Sequence, residues 1–388
     1  MGHVLMKETI AFLTFMSFWP KTKKSSKILP YFILFLSSFL LFGSVSYLVV
    51  YRKFGKFRAS EPQFCQFFSG SDDIDTIETI TSQFGVLYFI ALFMWKREGM
   101  VKIVALLSDF SKFGQPRFFD KRNRQLSFFL KYCIIVLTVC IGGVLLCPVI
   151  FSESCEKINQ ETNRTKVCGV VSNVWAPFDY SEFPLKQVVI IWETCSCFVN
   201  LGCAGVMSFT IIETMEHLII RIEQLKDMFS DVINEDDIAM RQEKLKMWVN
   251  YHLHLFDIGQ LMTDTYRYSL SVIVLCVGIL FSCCGISMMQ SLSSHGSIFL
   301  FLGWLQSIGI LCVCGQRLLD TCLSVGDLAY HSVWYEKDVA FQKALLMIII
   351  RARRPILIYA GPFSYLSYVM LLGVLQTAYS YINLLKAT

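Results

Sequence analysis

Between Tyr268 and Gln316 the chain carries no Asp, Glu, Lys or Arg. A helix crosses the hydrocarbon core of a bilayer in about 20 residues. This stretch is therefore long enough for two crossings, and the polar break Gln290-Ser-Leu-Ser-Ser-His-Gly-Ser297 divides it into a hairpin. Four further apolar runs read as spans one to four: Ile28 to Tyr51, Thr76 to Trp95, Tyr132 to Ser152 and Gln187 to Ile212. A last uncharged run, Pro355 to Leu385, contains span seven. Composition agrees: 17% of residues are charged, against about 25% in soluble domains. The mean hydropathy is +0.52.

Several function classes fall away. The net charge of +5 includes no basic run dense enough for a nucleic-acid surface. Most of the 15 Cys, such as Cys133, Cys140, Cys276 and Cys284, lie inside apolar runs, where Cys behaves as a small apolar residue. Cys195-Ser-Cys197 and Cys312-Val-Cys314 lack a partner pair at ligand spacing, so no metal or cofactor is expected. No HExxH or GxSxG is present, and His252 and His254 do not share a helix face. An enzyme is not expected. The apolar patch Ile10 to Trp19 precedes the cluster Lys21, Lys23, Lys24 and Lys27. This order is wrong for a signal peptide, and the patch is expected to lie on the membrane interface.

Lys and Arg mark the cytoplasmic side of a membrane protein. The first 27 residues hold five Lys and one Glu, and the loop 96–127 holds eight Lys/Arg against three acids. Both read as inside. The loop 152–184 holds three Lys/Arg and five acids, the sequon at Asn163, and Cys155 and Cys168. It reads as outside, where the sequon can be glycosylated and the two Cys can pair. Seven spans from an inside N-terminus place the C-terminus outside, opposite to G-protein-coupled receptors. The expected fold is an all-α membrane protein of seven transmembrane helices with a cytoplasmic N-terminus and an extracellular C-terminus.

Some helices outrun the bilayer. Met215, Leu218, Ile219, Ile222 and Leu225 prolong span four as an apolar stripe, with Glu216, Glu223, Lys226 and Asp227 expected on the other side. Leu245, Trp248, Val249, His252 and Phe256 lead into span five in the same way, and Val339 to Ile350 forms a third piece. These extensions are expected to form a cytoplasmic anchor. On span seven, Gly373, Gln376, Thr377, Ser380 and Asn383 recur at three- and four-residue steps and share one face. Leu371, Leu375, Ala378, Ile382 and Leu385 form the opposite, apolar face. A polar stripe in a membrane either lines water or bonds neighbouring helices.

The C-terminal sixth is the most distinctive part. Leu328-Ala-Tyr-His-Ser-Val-Trp-Tyr335, Lys343-Ala-Leu-Leu346, Arg351-Ala-Arg-Arg-Pro355, Ala360-Gly-Pro-Phe363 and Gln376-Thr-Ala-Tyr-Ser-Tyr-Ile-Asn-Leu-Leu385 together resemble the insect odorant receptor family, as does Trp175-Ala-Pro-Phe-Asp-Tyr180 before span four. The resemblance implies a subunit of a ligand-gated cation channel, with four subunits around one pore and span seven lining it. It implies as partners a common coreceptor in a hetero-oligomeric tetramer, a small volatile organic ligand, cations and lipid. Residues 213–260 lack the coreceptor's long insertion, so the chain resembles an odour-tuning subunit, expected in the cell membrane of olfactory neurons.

The resemblance divides the chain into 1–27, a cytoplasmic segment; 28–212, spans one to four with the ligand region; 213–267, the anchor; 268–318, spans five and six; 319–354, anchor and lead-in; and 355–388, the pore-lining span. It assigns the pore to Gln376, Thr377, Ser380 and Asn383, with Leu384 at a hydrophobic constriction. With no charge on the stripe, weak selectivity among cations is expected. The ligand site is expected in the outer half of the membrane. There span two offers Gln83, Phe84 and Tyr88, and span three Thr138, Ile141, Gly142 and Leu145. Span four offers Trp192, Cys195, Ser196 and Val199, and span six Phe299 with Leu302. Glu193, a carboxylate within span four, is expected to reach water, polarise a ligand or face an ion path. The alternative is a gustatory receptor of the same fold. Its usual Gln-Phe would stand where this chain has Leu384-Leu385, which favours the odorant branch.

Overall fold

The structure is a computed structural model of the chain. It describes residues 5–15, 18–19, 28–55, 71–162, 167–172, 174, 179–290 and 295–387. The sequon at Asn163 lies outside these residues. The helices are α1 (Lys7–Phe15), α2 (Ile28–Gly55), α3 (Ser71–Trp95), α4 (Arg97–Ser108), α5 (Phe119–Ile150), α6 (Ser152–Thr162), α7 (Leu185–Ile233), α8 (Ile238–Gln290), α9 (His295–Tyr330), α10 (Val339–Ala352) and α11 (Tyr368–Ala387). Two short antiparallel strands, β1 (Tyr359–Ala360) and β2 (Ser364–Tyr365), pair Tyr359 with Tyr365. Among the described residues, α2, α3, α5, α7, α8 and α9 are long and apolar enough to cross a membrane. The 20 residues of α11 give it the length of a further crossing. Backbone polar groups in lipid must be satisfied within the chain, which helices achieve alone.

α7 and α8 run for 49 and 53 residues without a break. The segment boundaries at 212/213 and 267/268 therefore fall inside continuous helices, as does 318/319 within α9. Each of these boundaries lies within one unbroken helix rather than at a break between elements.

α7 departs from the expected two-sided pattern. Met215, Leu218, Ile219, Ile222 and Leu225 are buried, but so are Glu216, His217, Arg221 and Gln224. Neighbouring helices cover α7 on both sides, so its polar groups need partners inside the protein. Arg317 on α9 donates to Glu216 at 2.6 Å. Arg221 donates to the carbonyls of Leu107 (2.8 Å) and Asp109 (2.7 Å). Gln224 donates to Phe113 and Gly114 and accepts from Tyr251 at 2.7 Å.

The start of α10 is held to α8 through Asp338. Its carboxylate caps α10 by accepting from the Phe341 amide at 3.1 Å and takes Arg241 at 2.7 Å. The ordinary carboxylate range is lowered for Asp338, first by the hydrogen bond from Arg241.

In the N-terminal patch α1 packs against α7, and Leu13, Phe18 and Trp19 are buried in the core while Phe15 is 77% exposed. One further expectation changes. The last uncharged run is not helical throughout. Pro355 and the Gly361-Pro362 pair break it, and α11 starts only at Tyr368. Gly361 has φ +62, and a Cβ there would stand 2.4 Å from Ser271 Cβ. Only glycine fits that turn, which gives the Ala360-Gly-Pro-Phe363 motif its physical reason.

Candidate functional site

α5, α7 and α9 line a partly open cavity of about 40 Å³. It is lined by Leu137, Cys140, Ile141 and Val144 on α5 and by Leu201, Ala204, Gly205 and Ser208 on α7. α9 contributes Phe299, Leu300, Gly303, Trp304 and Ser307, while Phe89 of α3 and Ile273 of α8 complete the wall. Each helix lines it at three- and four-residue steps, as one helical face must. Small residues let the helices approach. At Gly143 a Cβ would lie 2.2 Å from the Phe299 ring, and at Gly205 it would lie 2.2 Å from Leu137.

Within this apolar space one polar group has no protein partner among the described residues. The indole Nε1 of Trp304 is buried without an acceptor. A buried donor left unpaired costs about 1–3 kcal/mol. An acceptor supplied by a bound ligand would remove that cost. Gln306, two residues on, donates to the Cys133 carbonyl at 2.9 Å and binds α9 to α5.

Of the residues anticipated for a ligand, Ile141 and Phe299 line this cavity. Leu145 packs beside it with Ile141 and Cys197, and Val199 packs against the main core. Gln83 is buried but serves as a link. Its amide donates to Cys197 Sγ at 3.4 Å and accepts from Asn200 at 3.4 Å, binding α3 to α7. Phe84 and Tyr88 are 49% and 39% exposed and turn away from the cavity. The buried face of α3 is Gln83, Val86, Phe89, Ile90 and Phe93, and Phe84 and Tyr88 stand side by side on the opposite face, ring centroids 6.1 Å apart. Thr138 is exposed and donates to its own helix at the Ile134 carbonyl. Gly142 does not line the cavity, Cys195 and Leu302 are exposed, and Ser196 is buried away from it. Trp192 packs edge-on against Phe39 at 5.4 Å.

Glu193 neither reaches water nor faces the cavity. It is fully buried and accepts from the Val171 amide (3.0 Å) and the Ser172 hydroxyl (3.0 Å). It thus seats the loop that follows the disulfide joining Cys155 and Cys168. Tyr180 adds a second tie by donating to the Val174 carbonyl at 2.9 Å.

On α11, Met370, Val374 and Ala378 are buried against the bundle, while Gln376, Thr377, Ser380 and Asn383 are exposed, together with the apolar Leu372 and Leu384 and the rings of Tyr379 and Tyr381. Thr377 and Ser380 donate to the carbonyls of Gly373 and Gln376 one turn back. That leaves their oxygens able to accept further bonds on the exposed side. Sequence spacing alone could not have found Trp304 or Gln306, whereas Glu78, a buried carboxyl on α3, carries the same signal as Glu193, an acid inside an apolar span.

A profile of the family described as 7tm Odorant receptor matches residues 70–379. Odorant receptor 67c of Drosophila melanogaster is 22% identical over 227 residues, 55% of this chain and 54% of that protein. The chain thus spans about half the length of that relative. Odorant receptor 85c of the same organism is 20% identical over 370 residues, 90% of this chain and 88% of that protein. The olfactory receptor OR5 of Machilis hrabei superposes with a TM-score of 0.79 at 14% identity, over 98% of this chain and 97% of that one. Its complex with eugenol superposes with a TM-score of 0.78 at 13% identity.

Proposed function

The chain belongs to the 7tm odorant receptor family, and we propose that it is an odour-tuning subunit of a ligand-gated cation channel. The observation that carries this reading is the outward polar stripe of α11. Gln376, Thr377, Ser380 and Asn383 face away from the chain's own bundle, where lipid has no use for them. A shared water-filled path between subunits satisfies them, and Leu384 supplies a hydrophobic constriction that closes by dewetting. With no charge on the stripe, the path admits cations with little selectivity.

The anchor supports assembly. Met247, Leu346, Met347 and Ile350 are exposed apolar side chains on segments outside the spans. Leu346, Met347 and Ile350 share an exposed apolar side of α10, the kind of surface that marks an interaction site, and it fits the neighbouring subunits of a tetramer with a coreceptor. The orientation has the anchor in the cytoplasm and the C-terminus outside, with the Cys155–Cys168 loop in the oxidising space.

The ligand is a small, mostly apolar volatile molecule carrying one hydrogen-bond acceptor, held between α5, α7 and α9. Its acceptor pairs with the Trp304 indole N–H, and its chain fills the space against Ile141 and Phe299. The test is to record currents from cells expressing the chain alone and with a coreceptor, over a panel of volatile compounds. Ligand-evoked cation current is expected in the pair. A response carried wholly by G proteins, or none with any coreceptor, contradicts the reading.

A further inference from the structure

We propose that Glu78 is the positioning residue that ties the ligand cavity to the seventh helix, an inference that rests on the reading of the cavity and of α11 just given. Glu78 lies in α3 and is 4% exposed. The Ser287 hydroxyl of α8 donates to its Oε1 at 2.7 Å, and the Ser297 hydroxyl of α9 donates to its Oε2 at 2.8 Å. One carboxyl therefore joins three helices. A carboxyl within an apolar segment is costly and is kept where its oxygens are satisfied and its position matters. Removing either hydroxyl would leave a buried carboxyl oxygen short of a donor, so each bond holds its helix in place.

Each serine stands two residues from a working part of the molecule. Ser297 precedes Phe299, whose ring forms part of the cavity wall and is seated against Gly143 of α5. Ser287 follows Gly285, where a Cβ would lie 2.3 Å from Cδ1 of Ile382 on α11. Ile382 in turn adjoins Asn383 and Leu384, at the end of the polar stripe.

The size of the cavity makes this chain of contacts mechanical. About 40 Å³ is far below the roughly 300–1,000 Å³ of sites for drug-sized molecules. A bound ligand must therefore push a wall outward. The α9 wall moves with Phe299 and carries Ser297 at the same end of the helix. Apolar contact alone would let α9 slide along its neighbours. The two-serine clamp on Glu78 fixes α9 and α8 in register, so the displacement passes to Ser287. The close seat of Ile382 on Gly285 then hands it to α11. Coupling of this kind needs a contiguous physical network, and these residues supply one.

The test uses the full chain with its coreceptor in cells. The probes are a panel of medium-chain aliphatic alcohols, ketones and esters. The compound giving the largest wild-type current is then applied to Ser287→Ala, Ser297→Ala, the double variant, Ser297→Thr and Glu78→Gln. Maximal current is normalised to surface-labelled protein, and the half-maximal concentration is read alongside. Each alanine variant should lower the maximal current about tenfold, the scale of one buried hydrogen bond left unmade. The half-maximal concentration should shift less than about threefold. The double variant should be no worse than either single, as expected for one shared path. Ser297→Thr, which keeps the hydroxyl, should restore most of the current, and Glu78→Gln should fall between. Unchanged maximal currents overturn the proposal. So do equal losses in the alanine and threonine variants, or failure of every variant to reach the surface, which makes Glu78 a folding residue only. A wild type without ligand-evoked current overturns the channel reading and this inference with it. A responsive wild type with unaffected variants overturns this inference alone.

Discussion

The Ser172 hydroxyl donates to the Glu193 carboxylate at 3.0 Å, with the Val171 amide bonded to the other oxygen. This buried carboxylate holds down the loop beyond the Cys155–Cys168 disulfide. Replacing it by Gln disturbs two hydrogen bonds in a buried site, where a donor left unpaired costs about 1–3 kcal/mol. Glu193→Gln is expected to lower the thermal stability of the solubilised protein by about 2 kcal/mol or more and to reduce its surface level. Cation selectivity per surface channel should not change. A stable variant with altered selectivity would place Glu193 on the ion path instead.

The unpaired indole of Trp304 sets a preference among ligands. Trp304→Phe keeps an aromatic wall and removes the donor. It should raise the half-maximal concentration of ketones and esters about tenfold, the scale of one hydrogen bond made in an apolar site. Hydrocarbons of the same length should change much less. Equal shifts for both classes would show that Trp304 contributes shape alone.

Gly143 is expected to tolerate no side chain, because a Cβ would lie 2.2 to 2.5 Å from the Phe299 ring. Gly143→Ala should cost about 1–3 kcal/mol through overpacking, read as a lower unfolding temperature and a lost ligand response. Adding Phe299→Leu should recover part of the stability. Two independent, additive losses would separate these residues.

Much of the membrane architecture is legible from the chain because a bilayer demands apolar length, and runs such as Tyr268 to Gln316 supply it. The stripe on α11 is legible for a related reason: polar side chains inside an apolar run stand out at helical spacing. The ligand cavity is harder. A helix with protein on one side and lipid on the other is apolar all round, so the pattern that tells inside from outside disappears. Phe84 and Tyr88 stand on the exposed face of α3, away from this cavity, for that reason. Glu78 and Gln83 show a second limit. Their partners lie more than a hundred residues away in sequence, on Ser287, Ser297, Cys197 and Asn200, and no local spacing encodes such pairs.

α7 and α8 carry an acid-sensitive pair of histidines. Burial, helped by nearby Arg351, pushes His252 down from 6.5 to about 4. Burial does the same to His217, aided by Arg221. Both stay neutral in the folded protein while the unfolded chain takes up protons below pH about 6.5, so stability is full above that pH and is lost as pH falls towards about 4. His252 contributes at most roughly 3 kcal/mol to that loss. His252→Phe should therefore flatten part of the acid slope in thermal unfolding between neutral pH and pH ~5. An unchanged slope would show that His252 protonates freely in the fold.

Gln376→Glu tests whether α11 presents its polar face to a shared ion path. With the chain and a coreceptor in the same cell, reversal potentials under calcium and sodium gradients give their relative permeability. A carboxylate facing that path should raise the calcium-to-sodium ratio several-fold, by about 1 kcal/mol of added attraction for a divalent ion. An unchanged ratio, with Gln376→Glu at the surface and still opened by ligand, would contradict the account.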